Sequence, residues 1–75
     1  MGMDRLAAME TFVRVADAGS FSAVADQLNV ARSAITRQIA ALEGHLGVKL
    51  IARSTRSLSL TSEGQRYLAQ CREII

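Results

Sequence analysis

Apolar residues return along this chain at two different periods, and the change of period divides it into elements. From Leu6 through Met9, Phe12, Val13 and Ala16 the spacing is helical. Asp4 stands where a helix would be capped and Gly19 where it would stop. Ser20 is a good cap for a second helix, with Val24, Ala25 and Leu28 inside and Asp26 and Gln27 in solvent. Asn29 tolerates the left-handed backbone that a sharp turn requires, so the next helix can follow without a true loop. That third helix is expected from about Ala31 to Leu46, with Ile35, Ile39, Leu42 and Leu46 in one stripe and Gly47 as its stop. Its start is weakly signalled: Ala31 is a poor cap, and Ser33, one turn inside, competes for the free amides.

After Gly47 the period falls to two. An apolar segment, Val48, Leu50 and Ile51, precedes Leu58 and Leu60 alternating with Ser57 and Ser59, the pattern of a short hairpin whose connection is Arg53-Ser54-Thr55-Arg56. Two strands are marginal alone, so the hairpin must lean on the helices. Thr61 then caps a fourth helix with Glu63 in its first turn, where the helix dipole favours an acid; Gly64 weakens that turn. Tyr67, Leu68, Cys71, Ile74 and Ile75 form its apolar stripe. The stripe reaches the last residue without a stop signal, which creates the expectation that the natural chain continues and that this helix meets another copy or another domain. Its alternative use is to cover the first helix of the same chain.

The outward side of the third helix carries the chemistry. Ser33, Thr36, Arg37, Ala40 and Gly44 lie opposite the apolar stripe, and Arg32 occupies the first turn. A face of small, polar and basic residues fits a DNA major groove: Ala40, Ala41 and Gly44 leave room for the duplex, Arg37 brings charge, and Ser33 and Thr36 can bond phosphates or base edges. The bland reading is a solvated amphipathic helix. Charge distribution weighs against it. Residues 1–30 hold Arg5 and Arg14 against Asp4, Glu10, Asp17 and Asp26, a net of −2, whereas residues 31–60 hold Arg32, Arg37, Lys49, Arg53 and Arg56 against Glu43, a net of +4. The basic excess coincides with the third helix and the hairpin, as expected of a phosphate-facing surface. A wing there can lay Arg53 and Arg56, with Thr55 between them, on phosphates or into the minor groove; the competing role is a charged tip that protects a sheet edge. Ser20, Ser22 and the free amides at the start of the second helix can likewise hold a phosphate, or the serines can simply cap.

Composition narrows the remaining classes. Seventy-five residues make one domain at most, and with 49% hydrophobic residues and no proline a small helical core is attainable. A single cysteine, Cys71, forms no internal disulfide, and no Cys/His cluster has metal-ligand spacing. Cys71 reads as an inert packed position and His45 as a residue favoured by the helix dipole. There is no signal-peptide pattern and no apolar run of about 18 residues. The expectation is therefore a cytoplasmic, nucleoid-associated protein with no membrane partner. An enzyme is disfavoured: the seven acids are scattered, His45 has no visible partner, and no glycine-rich phosphate loop follows a strand. The rival from another class is a helical protein-interaction module working through the stripe from Tyr67 to Ile75.

From Met9 to Gly64 the chain resembles the DNA-binding domain of bacterial LysR-type transcriptional regulators. The resemblance lies in F-V-x-V-A-D-A-G-S-F-S-A-V-A from Phe12 to Ala25, S-A-I-T-R-Q-I-A-A-L-E from Ser33 to Glu43, L-G-V-K-L from Leu46 to Leu50, and R-S-T-R-S-L-S-L-T-S-E-G from Arg53 to Gly64. It implies a mainly α, winged helix-turn-helix fold: a three-helix core, a short two-stranded wing and a C-terminal linker helix. Residues 1–60 would form the DNA-binding domain and 61–75 the start of the linker and dimerisation helix. A ligand-binding domain, absent here, would follow and take a small-molecule inducer; no cofactor is expected in this segment. By position, the family's groove-reading residues fall on Arg32, Ser33, Thr36 and Arg37 and its wing contacts on Arg53 and Arg56. Double-stranded DNA and a homodimer, with a tetramer open to the longer protein, are the implied partners. Four residues depart from the pattern: Arg32 stands where glutamine is frequent, Ala31 and Asn29 where serine and glycine are frequent, and Ile51 where phenylalanine is usual.

Overall fold

The computed structural model describes residues 4–53 and 58–74. Four helices and a two-stranded sheet follow one another as α1 (Arg5–Ala18), α2 (Phe21–Leu28), α3 (Arg32–Leu46), β1 (Ile51–Arg53), β2 (Leu58–Leu60) and α4 (Ser62–Ile74). This is the expected winged helix-turn-helix order, mainly α.

Local chemistry sets the boundaries. The Asp4 carboxylate accepts from the Ala7 amide and the Ser20 hydroxyl oxygen from the Ala23 amide, each capping the helix that follows. The turn between α2 and α3 rests on Asn29, left-handed at φ 56° and ψ 48°. The Val30 N–H reaches back to the Ala25 carbonyl at 3.0 Å and the Asn29 N–H to Asp26 at 3.2 Å, so two carbonyls at the end of α2 are satisfied as the chain reverses. α3 begins at Ala31 with no side-chain cap, and Ser33 does not take that role. Gly47, at φ 75°, ends α3 with its N–H on the Glu43 carbonyl.

Phe12, Val15, Val24, Ile35, Ile39 and Leu42 pack α1, α2 and α3 around one core, to which Leu50 and Cys71 add the hairpin and α4. Two expected inward positions are corrected. Leu6 is 51% exposed, because it lies about 160° around α1 from Ala8, on which the buried stripe of Ala8, Phe12 and Val15 is centred. Leu28, the last residue of α2, is also exposed, and Phe21 at the opposite end of the helix is buried instead.

The two strands pair antiparallel, Ile51 opposite Leu60, Ala52 opposite Ser59 and Arg53 opposite Leu58. Ile51, Leu58 and Leu60 turn toward the core and Ala52 and Ser59 away, as the alternation predicts. Thr61 caps α4 by accepting from the Gly64 amide at 2.9 Å.

α4 lies on α1. The rings of Phe12 and Tyr67 meet with centroids 5.8 Å apart, and Arg72 reaches across the seam to Asp17 with Nη2 2.5 Å from Oδ1. Asp17, on the exposed side of α1, is thus an ion-pair partner. Cys71 is wholly buried in the core of its own chain, and this corrects its assignment to a dimer surface. Tyr67 also turns inward, and Leu68 is half-buried. The helical stripe that suggested a partner is largely consumed within the chain. Ile74, 64% exposed, is the member left outside, and Ile75 lies beyond the described residues.

Candidate nucleic-acid interface

α3 is buried on Ile35, Ile39 and Leu42, and this fixes which side faces out. Arg32, Ser33, Arg37, Ala40, Ala41 and Gly44 are exposed, with Thr36 half-buried at the edge. Of the four residues expected to read bases, Ser33 and Arg37 lie on the outward side, Thr36 at its edge, and Arg32 is exposed in the uncapped first turn. The Thr36 hydroxyl donates to the Arg32 carbonyl at 3.2 Å. Its proton is thereby engaged within the helix, and what it offers outward is lone pairs and a methyl group, suited to an amino donor or a thymine methyl rather than to a phosphate.

Ser20 and Ser22 flank the start of α2. Ser20 is a cap, so the capping role is realised there, while Ser22 is exposed. Of the wing residues, Thr55 and Arg56 lie outside the described residues, as does the side chain of Arg53. β1, which leads to them, borders α3: Thr36, Ala40 and Glu43 share an open cleft with Lys49, Ile51 and Ala52. The basic helix face and the root of the wing are thus two walls of one surface.

Glu43 escaped the sequence reading as anything but a lone acid in a basic stretch. Its Oε2 accepts from the Leu50 N–H at 2.8 Å and the Ile51 N–H at 3.2 Å, and Oε1 stands 3.9 Å from Lys49 Nζ. The only acid of the region is therefore tied inward by charge-assisted hydrogen bonds. The available signal was its count from Thr36: seven residues are two turns less about 20°, which sets Glu43 on the edge of the outward face that the chain must cross on returning. Gly64 was read as a weak point of α4, and the structure corrects this. A Cβ there would stand 2.0 Å from the Leu50 carbonyl oxygen, so glycine is what lets α4 approach the root of the wing.

Burial pushes the Cys71 thiol up, against the opposing influence of the Tyr67 hydroxyl and of Arg5. The Tyr67 hydroxyl is itself enclosed and, among the described residues, has no partner in hydrogen-bond geometry. This is packing chemistry, remote from the basic face.

A tight α2–α3 turn, a basic outward helix and an adjoining antiparallel wing define a winged helix-turn-helix domain. The chain belongs to the lysR family of bacterial regulatory helix-turn-helix proteins, whose model matches residues 6–65. It is 47% identical over 73 residues to an HTH-type transcriptional repressor of Pseudomonas aeruginosa, covering 97% of this chain and 23% of that protein. It is 44% identical over 73 residues to the HTH-type transcriptional activator AaeR of Escherichia coli, covering 97% of this chain and 24% of that one. The chain thus spans about a quarter of the length of the curated relatives it matches. Among solved structures it is similar to the CbnR DNA-binding domain in complex with DNA, with a TM-score of 0.86 and 42% identity over 92% of this chain and 79% of that one. It is also similar to the BenM DNA-binding domain on a catB site, with a TM-score of 0.87 and 33% identity over 92% of this chain and 78% of that one.

Proposed function

We propose that this chain is the sequence-specific DNA-binding domain of a bacterial transcription regulator, with α3 in the major groove and the wing on the flanking backbone or minor groove. The observation that carries the proposal is the outward side of α3, where Arg32, Ser33 and Arg37 are exposed while the neighbouring acid, Glu43, is tied to backbone amides. The DNA-bound structures of similar domains support the same reading.

Arg32, Ser33, Thr36 and Arg37 would address base edges; Ser20, Ser22, Arg53, Thr55 and Arg56 would hold the backbone or minor groove. Arginine at position 32 favours a bidentate contact with guanine. Residues 1–60 act as the reading domain and 61–75 as the start of a linker helix. A ligand-binding domain that takes a small-molecule inducer belongs to the longer protein. Two copies meeting through α4, on Leu68, Ile74 and Ile75, address an interrupted inverted repeat, since two-fold symmetry in the protein imposes it on the site.

The test is selection of a random-sequence duplex library by the 75-residue chain at two salt concentrations, followed by sequencing of the bound fraction. Enrichment of an interrupted palindrome that is lost at higher salt is the expected result. A single half-site would withdraw the dimer through α4. No enrichment at either salt by a folded chain would overturn the reading.

A further inference from the structure

Lys49, Leu50 and Ile51 join the recognition helix to the wing, and each is held from outside the hairpin. The amides of Leu50 and Ile51 both donate to one oxygen of Glu43, on the last turn of α3. The Lys49 carbonyl accepts from the Thr61 hydroxyl at 2.6 Å, and the Leu50 carbonyl from the Thr61 N–H at 3.0 Å. Thr61 anchors the segment to the start of α4, but Glu43 is its tie to the helix proposed to read the bases. The Glu43 side chain is 13% exposed, so its bonds to the two amides are largely shielded from competing water.

An acid here has no favourable role toward DNA by charge alone, because it is the one acid of the basic stretch 31–60 and borders, beside Lys49, the open cleft between α3 and the root of the wing. Its value is geometric. We infer that Glu43 is a positioning residue for the wing: by fixing the Leu50 and Ile51 amides to α3, it sets where the wing stands relative to the recognition helix, so that both engage one duplex together. This rests on the DNA-binding reading above.

Two substitutions separate position from charge. Glu43→Gln removes the charge but keeps an acceptor oxygen at full reach; Glu43→Asp keeps the charge but withdraws the oxygen by one methylene. If Glu43 mattered only as a charge, Gln would bind DNA more tightly and Asp as the parent chain does. Positioning predicts that Gln binds at least as well as the parent and that Asp binds less well.

The measurement is binding of a short mixed-sequence duplex across a salt series, for the parent and both variants, each with and without Arg56→Ala at the wing. In the parent and in Glu43→Gln, Arg56→Ala should lower the magnitude of the slope of log K against log salt by about 1. In Glu43→Asp the slope should already be reduced and Arg56→Ala should lower it no further. An equal effect of Arg56→Ala in all three backgrounds would overturn the inference. Amide exchange without DNA supplies a second readout. Leu50 and Ile51 should lose protection in Glu43→Asp while α3 keeps its own, and unchanged protection would overturn the clamp. A parent chain that fails to bind would instead remove the DNA reading itself.

Discussion

A Cβ at position 64 would stand 2.0 Å from a backbone carbonyl that Thr61 already holds in place, so neither side of the contact can yield cheaply. In a free helix Gly64→Ala would be stabilising by about 1 kcal/mol. Here it should destabilise the chain by about 1–3 kcal/mol or more, read as a lower urea midpoint; a raised midpoint would mean that the close approach is not required. Nothing in the neighbourhood of Gly64 in sequence betrays this, because the contact is made by a residue fourteen positions earlier. Glu43 is an intermediate case: its count from Thr36 sets it at the edge of the outward face, but its partners follow a helix stop. Arg32 is the opposite case. Its candidacy was legible from its place in the first turn of a helix with an apolar opposite face, and the structure leaves it exposed there. Arg32→Ala should cost about 1–3 kcal/mol on the selected duplex and relax preference at one base pair. Equal losses on selected and random DNA would contradict base reading by Arg32.

At the scale of elements, stop signals were the most legible features. Gly19, Asn29 and Gly47 all adopt the left-handed conformation that their residue types allow. The α2–α3 turn depends on this most, since Asn29 reverses the chain between α2 and α3. Asn29→Gly should leave the melting temperature nearly unchanged, whereas Asn29→Ala should cost about 1–2 kcal/mol; equal behaviour of the two would show that backbone handedness does not matter at this turn. Helix faces were less legible than helix ends. The spacing from Leu6 to Ala16 identified a helix but misplaced its centre, because Ala8 and Val15 are apolar too and the tertiary partner decides which overlapping stripe turns inward. The wing was legible from its two-residue alternation, though Thr55 and Arg56 at its tip lie outside the described residues.

For the molecule as a whole, the division of charge along the chain survives folding as a basic helix face beside the wing. What periodicity could not decide was the allegiance of α4, since an apolar stripe looks the same whether it covers its own chain or another. Cys71 settles part of that question by being fully buried, and it also gives the fold a pH signature. Burial raises the thiol pKa in the native state. Below the ordinary thiol value of about 8.5 both states hold the proton and the contribution is fully present. Above it the unfolded chain releases the proton first, so stability falls as pH rises until the native thiol also ionises. Cys71→Ala, although less stable at neutral pH, should show a shallower alkaline decline in urea titrations. An identical decline would exclude the thiol as its source.

The central claim is that the outward side of α3 and the wing meet DNA while α4 does not. Titrating the isotope-labelled chain with a short duplex and following its backbone amide resonances tests this directly. The largest shifts should fall at Arg32, Ser33, Thr36 and Arg37, at Ser20 and Ser22, and across residues 53–56, and they should reverse on raising the salt. A titration that leaves α3 and residues 53–56 unmoved, or shifts there that persist unchanged on raising the salt, would contradict the account.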